Sequence, residues 1–324
     1  MALTTLQILT LQNLEGVGKK SILKVGNYIN DSDKSISCWE DFIPILDLLK
    51  VKVKNEEKPG KIPVEVRHLQ RAETIAKRII EESERQNIGI ISYYEDDFPQ
   101  SLRDTISEDG KEDPPILLYY KGDLSTTKVP SIAIIGTREM TSGGEKAGSY
   151  LTKEFVKRGF CIVSGLAIGC DTCAHRSALD AGGKTIAILA HGLDSVYPPE
   201  NEGLASEIVE KGGLLLSEYP IGMTVNRYNL VARDRLQAAM GKATLVIQTG
   251  VDGGTMHAAN TTLKAHKPLF AILYKDAETQ NHEKTKGNEY LVNHGAKYIK
   301  GSDDLDLICE EINNSKTIKT GLFG

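Results

Sequence analysis

The chain has 324 residues, 40% of them hydrophobic and 26% charged, with a formal net charge of −5. That length accommodates one large domain plus a smaller one with a buried core. The acidic balance argues against a general polyanion binder while leaving room for a local basic patch. No apolar run approaches the ~18 residues of a membrane span. The N-terminal MALTTLQILTLQNLEG has neither the basic region nor the small-residue cleavage site of a signal peptide. Five scattered cysteines fit a reducing compartment. A cytoplasmic protein with no membrane partner is expected.

Residues 1–86 read as a small helical domain. Within it LQNLEGVGKKSILKVGNYI has the pattern of a helix-hairpin-helix turn, with Leu11 and Leu14, then Gly16-Val17-Gly18, then a basic-apolar helix from Lys19. Such glycines allow a sharp turn whose free N–H groups can meet a phosphate, although a tight connector in a small bundle explains them equally. Residues 50–63 are polar with two prolines and read as a loop. EVRHLQRAETIAKRIIEESERQ then reads as an amphipathic helix with a charged outer face.

From residue 87 to 316 the pattern is α/β, and 317–324 is a tail. IGIIS and ILLYY are strand-like, and further strands are expected at 132–136, 160–164, 185–189, 214–217, 244–248, 269–273 and 297–299. Helical patterns at 144–158, 170–181, 201–211, 231–240, 255–265 and 288–293 lie between most of them. Apolar strands without alternation are covered on both faces, so an extended, Rossmann-like, doubly wound and mostly parallel sheet follows.

Ligands of such a sheet bind beyond the carboxyl ends of the strands. The first of these core strands is followed by Gly136-Thr137-Arg138 and then Thr141-Ser142-Gly143-Gly144. The second is followed by Ser164-Gly165, and the strand at 244–248 by Gly250 and Gly253-Gly254-Thr255. Three edges of one pocket are thus glycine and hydroxyl residues at helix N-termini, with the fixed charge of Arg138 beside them. This is an anion pocket, most simply for phosphate. None of the loops is a P-loop, and the spacing from Gly136 to Gly143 is not that of a dinucleotide fingerprint.

GTR at 136–138, SGLAIGCDTCAH at 164–175, GGKTIAILAHGLDSVYP at 182–198, LLLSEYPIG at 214–222 and GNEYLVNHGA at 287–296 resemble the DprA/Smf family of DNA-processing proteins over roughly 88–300. The resemblance implies a non-catalytic, single-stranded DNA-binding Rossmann core that forms a homodimer and hands its strand to a RecA-type recombinase. It also implies a backbone site built from Gly136, Arg138, Ser164, Gly165, the arginines at 233 and 235, and Gly253-Gly254-Thr255. Three features depart from the family: Asp234 stands between Arg233 and Arg235, the loop GVDGGTMHAA is acidic at Asp252, and no C-terminal winged-helix module is expected. They suggest a specialised paralog. Because some relatives are encoded in phage-defence or toxin–antitoxin pairs, a second reading is a regulator that neutralises a cognate toxin or defence protein.

The remaining candidates are supporting residues. Cys170-x-x-Cys173 has zinc spacing but no second ligand pair, so no metal and no cofactor are expected, and both cysteines read as small residues packed on the sheet. Asp171 and His175 lie four apart on one helical face and read as a hydrogen-bonded pair that shapes the pocket wall. Glu218 is expected to pair with Arg233 or Arg235, His257 to face the pocket mouth, and Tyr228 to stack on a base. A third reading, a sensor or phosphoribohydrolase-like enzyme for a nucleotide-like ligand, draws on the Gly253-Gly254-Thr255 turn. The glutamate such an enzyme carries after this turn is replaced by Met256-His257-Ala258-Ala259.

Overall fold

In the computed structural model, which describes residues 3–32 and 36–314, the chain divides into two units: Met1–Phe98 with Pro115–Tyr119, and Pro99–Pro114 with Tyr120–Gly324. The tail at 317–324 lies outside the described residues.

The first unit begins with α1 (Thr5–Gln12), whose start is a capping box: Gln7 N–H donates to Thr4 Oγ1 and Thr4 N–H to Gln7 Oε1. The turn to α2 (Lys19–Ser32) passes through Gly16 at φ +87°, a conformation that favours glycine. Leu11, Leu14, Ile22, Val25 and Ile29 are buried around this hairpin. After α3 (Phe42–Leu48) the stretch read as a loop contains a two-stranded hairpin, β1 (Lys52–Lys54) and β2 (Lys61–Pro63), with Val53 opposite Ile62. Its lysine-rich outer face hid the alternation, in which Val53 alone of β1 is buried. α4 (Val66–Arg85) turns Leu69, Ala72 and Ala76 inward and keeps its charges outside. β3 (Gly89–Ser92) lies beside the start of β4 (Leu117–Gly122).

The second unit adds α5 (Gln100–Arg103) and then alternates strand and helix, with two helices between the last two strands. The order is β5 (Ser131–Ile135), α6 (Ser142–Lys157), β6 (Cys161–Ser164), α7 (Cys170–Asp180), β7 (Thr185–Leu189), α8 (Glu202–Glu210), β8 (Leu214–Ser217) and α9 (Arg227–Met240). Next come β9 (Ala243–Val246), α10 (Thr255–Lys264), β10 (Leu269–Ile272), α11 (Ala277–Asn281), α12 (Lys286–Asn293), β11 (Lys297–Ile299) and α13 (Leu305–Asn314). The seven strands from β5 onward lie in the order β11-β10-β9-β5-β6-β7-β8, each adjacent pair parallel.

Residues of β5 separate the two helical layers by parity. Ile132 and Ile134 pack with Leu151 and Phe155 of α6, Ala174 and Ala178 of α7, and Ile308 and Ile312 of α13. Ile135 packs instead with Ala258 and Ala259 of α10 and Leu291 of α12. A fully buried strand with both parities apolar is what a sheet covered on both faces requires. The fold is therefore the α/β, Rossmann-like, doubly wound architecture expected from the sequence. α9 begins a turn earlier than its apolar pattern suggests, because the Asn226 side chain accepts the Asn229 N–H at 2.9 Å and caps the helix at that point. Its other end is closed by the buried Lys267 ammonium, which donates to the carbonyls of Ala238, Ala239 and Gly241.

Candidate functional site

Strand order reverses at β5. The chain runs outward through β6, β7 and β8, then returns through α9 to place β9 on the other side of β5. Loops leaving β5 and β9 diverge there and open a crevice at the carboxyl edge of the sheet. A cavity of about 720 Å³ occupies it. It is lined by Gly136, Thr137, Arg138, Gly253, Gly254, Thr255 and His257, by Asp171 at the start of α7, and by Arg227, Arg233, Asp234 and Gln237 of α9.

Buried amide side chains hold the loops that form the crevice. Thr137 N–H donates to Gln248 O, while Gln248 Nε2 donates to Thr141 Oγ1 and Thr285 Oγ1, tying the β5 loop to the β9 loop. Asn288 reaches from α12 to Ile247 O and Ile272 O through Nδ2 and accepts the Thr249 N–H, so the end of β9 is pinned as well. On the other flank Asn201 donates to Leu166 O and Thr172 Oγ1, holding the β6 loop.

The glycines divide by what demands them. A Cβ on Gly136 would lie 2.4 Å from Cys170 Sγ, and one on Gly165 would lie 2.2 Å from Arg233 Nη1. These two serve the packing of the protein itself. Gly254 is different: its φ of −57° suits any residue, and a Cβ there would meet nothing within 4 Å. It precedes the first turn of α10, where no side-chain cap satisfies the free N–H groups. Nothing in the fold demands glycine at this position, and the bare backbone faces open space in the cavity.

The charges divide in the same way. Arg233 is only 6% exposed. Its Nη1 donates to Gly165 O at 2.9 Å and Ile188 O at 2.5 Å, and its Nε to Asp234 Oδ1 at 3.1 Å. Lys284 is shared between Glu139 and Glu283. Arg138 and Arg227 are exposed, line the cavity, and have no carboxylate partner among the described residues. Burial pushes the Asp171 carboxyl above its ordinary range, against the pull of the Arg233 charge and the N–H groups of Gly165 and Ala167. Burial likewise pushes Asp234 up to about 6, opposed by Arg233.

Several expected residues sit elsewhere. Ser164 is fully buried and spends its hydroxyl on Ile134 O at 2.7 Å, so it does not reach the cavity. Arg235 points away from it, with Nη2 on Glu218 and Nε 2.5 Å from Asp113 Oδ2; Glu218 is thus the partner of Arg235, not of Arg233. Ser142 is exposed at the start of α6 and Tyr228 is 86% exposed, both outside the cavity lining. The expected Asp171–His175 bond is not formed. Asp171 turns back to cap the β6 loop, and His175 Nδ1 meets Thr185 Oγ1 at 2.7 Å. Because the Thr185 hydroxyl donates to Ile162 O, His175 must donate from Nδ1, and burial holds its ring neutral. Cys170 is buried, burial raises both Cys170 and Cys173, and no group of three His, Cys, Asp or Glu is placed for a metal among the described residues. His257 lines the cavity and bonds Glu108 through Nδ1. Arg227, Gln237, Gln248 and Lys284 were not anticipated. The Asn226 cap was the available signal for Arg227; the others depend on contacts distant in sequence.

A family model described as DNA recombination-mediator protein A matches residues 89–312. Protein Smf of Synechocystis sp. is 34% identical over 232 residues, covering 70% of this chain and 56% of that protein. DNA processing protein DprA of Streptococcus pneumoniae is 31% identical over 222 residues, covering 68% and 74%. The chain therefore spans little more than half the length of the Synechocystis relative. Among solved structures, that of S. pneumoniae DprA superposes with a TM-score of 0.75 at 27% identity, covering 95% of this chain and 98% of that one. A structure of DprA from Helicobacter pylori, described for its single-stranded DNA binding mode, gives 0.59 at 29% identity, covering 69% and 96%.

Proposed function

The chain belongs to the DNA recombination-mediator protein A family, and from that premise we propose that it binds single-stranded DNA without catalysis, holding the phosphate backbone in the crevice between the β5 and β9 loops. One observation carries this reading: two arginines unpaired among the described residues, Arg138 and Arg227, line the same cavity as the uncapped backbone at Gly254, which nothing in the fold requires to be glycine. N–H groups of Gly254 and Thr255 and the side chain of Thr137 would take phosphate oxygens, while Arg233 props the floor. Delivery of the strand to a RecA-type recombinase is the step that the description of the family implies.

The test is fluorescence anisotropy with a labelled ~30-nucleotide single strand, longer than ordinary site sizes, across a salt series. Tight binding that weakens steeply with salt is expected; no binding at low salt would sink the proposal. Gly254→Ala separates fold from function. Its urea midpoint should move by the equivalent of less than ~1 kcal/mol, while the added methyl holds a phosphate off the backbone and weakens binding at least several-fold. An unchanged affinity would remove Gly254 from the site.

Asp234 makes binding depend on pH. It lies beside Arg233, and Asp171 and His257 are the other titratable groups that act on it. Below about 6 it is neutral and leaves the arginine charge unopposed; above, its carboxylate cancels part of that charge. Affinity should therefore fall as pH rises through about 6, and Asp234→Asn should bind more tightly at pH 8 with a flatter profile. The readout is the difference between wild type and variant; identical profiles would rule Asp234 out. Stability follows the same sign. A carboxyl raised in the folded state favours folding below its unfolded range, and that contribution is lost as pH rises through about 6.

A further inference from the structure

The negative balance of the chain conceals a lysine cluster on the first unit. Lys20 and Lys24 of α2, Lys50 after α3, Lys52 and Lys54 of β1 and Lys61 of β2 are all exposed. Three contacts join these elements into one surface. Lys54 N–H donates to Glu15 O at 2.8 Å, Lys61 Nζ to Gly16 O at 2.7 Å, and Lys24 Nζ to Leu49 O at 3.3 Å. In the hairpin Val53 and its partner Ile62 take the inner face, so Lys52, Lys54 and Lys61 share the outer one.

Folding alone would favour other residues at these positions. Lys54 stands directly opposite Lys61 in the register, where like charges destabilise a strand pair. Lys20 and Lys24 lie four apart on α2, where like charges again repel. The first turn of α2 holds Lys19 and Lys20 and no acid, the reverse of what the helix dipole favours. Among the described residues, the one ion pair made by the six exposed lysines is that of Lys54 with Glu15, at 3.8 Å. Three local penalties gathered on one surface, with no packing gain to offset them, point to a ligand.

We propose that this surface is a second nucleic-acid site, separate from the crevice, which holds the phosphate backbone of duplex DNA and reads no sequence. A polyanion laid across the lysines offsets each of the three repulsions. The surroundings of the lysines favour a duplex over a single strand. Unpaired bases call for exposed aromatic rings on which to stack. Among the described residues the large exposed aromatic side chains, Tyr150, Tyr197, Tyr228 and Tyr290, all belong to the second unit. A duplex keeps its bases stacked inside and presents phosphates, for which the flexible point charges of lysine suffice.

The experiment measures anisotropy of the intact chain with a labelled blunt duplex of ~20 base pairs across a salt series. Wild type is compared with Lys20→Glu/Lys52→Ala and with Arg138→Ala/Arg227→Ala. The lysine variant should bind the duplex at least ~10-fold more weakly at about 50 mM salt, with a log–log salt slope shallower by ~0.9 for each lysine lost. Its urea midpoint should stay or rise, because Lys20→Glu relieves the repulsion with Lys24 and suits the helix dipole. Weaker binding by a protein of undiminished stability is then an effect on the site and not on the fold. The arginine variant should keep its duplex affinity within ~3-fold, and two duplexes of unrelated sequence should bind alike. No duplex binding at low salt, or a wild-type affinity and slope in the lysine variant, would overturn the site. Duplex binding lost in the arginine variant and kept in the lysine variant would assign the duplex to the crevice and overturn it equally. Indifference to the duplex combined with lysine-dependent binding of poly-L-glutamate would make the partner an acidic protein and overturn the assignment to DNA.

Discussion

Replacing Arg233 by alanine is expected to destabilise the chain by about 3–5 kcal/mol, the usual cost of removing one partner from a buried charge pair. Arg233 is 6% exposed, and its guanidinium bridges the ends of β6 and β7 through Gly165 O and Ile188 O while pairing with Asp234 beside it on α9. Its removal leaves Asp234 and Asp171 buried without their cation and two carbonyls without donors. Against a typical total of 5–15 kcal/mol, this is a large share. Urea unfolding checks it, and the double variant Arg233→Ala/Asp234→Ala supplies the second reading. Deleting the orphaned acid should recover part of the loss, giving a coupling energy well above the ~0.5 kcal/mol of independent sites. A midpoint for Arg233→Ala near that of wild type, or strict additivity in the double variant, would show that Arg233 is not the brace described. A DNA-binding defect in Arg233→Ala is therefore interpretable only in protein shown to be folded.

Arg138→Ala/Arg227→Ala should behave in the opposite way. Both side chains are exposed and unpaired among the described residues, so their loss should leave stability within ~0.5 kcal/mol of wild type. On the single-strand reading each supplies one phosphate contact. The slope of log affinity against log salt should then become shallower by ~0.7 for each arginine lost. At 50 mM salt the double variant should bind on the order of 50-fold more weakly, with the difference closing as salt rises. Lysine at both positions should retain most of the salt slope, because the point charge survives, but lose affinity where the planar fork mattered. A double variant with the wild-type slope would place the phosphates elsewhere on the protein.

Residues 233 and 235 show where the sequence becomes ambiguous. Two positions on a helix point about 200° apart, so both arginines cannot face one crevice. That much was available from helix geometry once α9 was recognised. Which of the two turns toward the cavity depends on where Glu218 and Asp113 lie, and these reach α9 from distant segments of chain. Ser164 is a similar case. It ends a strand at the correct edge of the sheet, but its side chain falls on the side where Ile134 O claims it.

The amino-acid sequence by itself determined the α/β alternation, the parallel sheet and the glycine-rich strand ends, because periodicity, turn chemistry and helix capping are local properties of a few adjacent residues. The family resemblance was equally legible in GTR and SGLAIGCD. Tertiary structure alone decided which glycines serve packing and which is open, and which arginines are buried braces and which are unpaired charges. It also decided that Asp171 and His175 act through different partners. Most of those distinctions depend on contacts between segments that folding brings together, such as α9 against the β6 and β7 strand ends and Thr185 of β7 against α7, and such proximity is a product of topology that no short stretch of residues encodes.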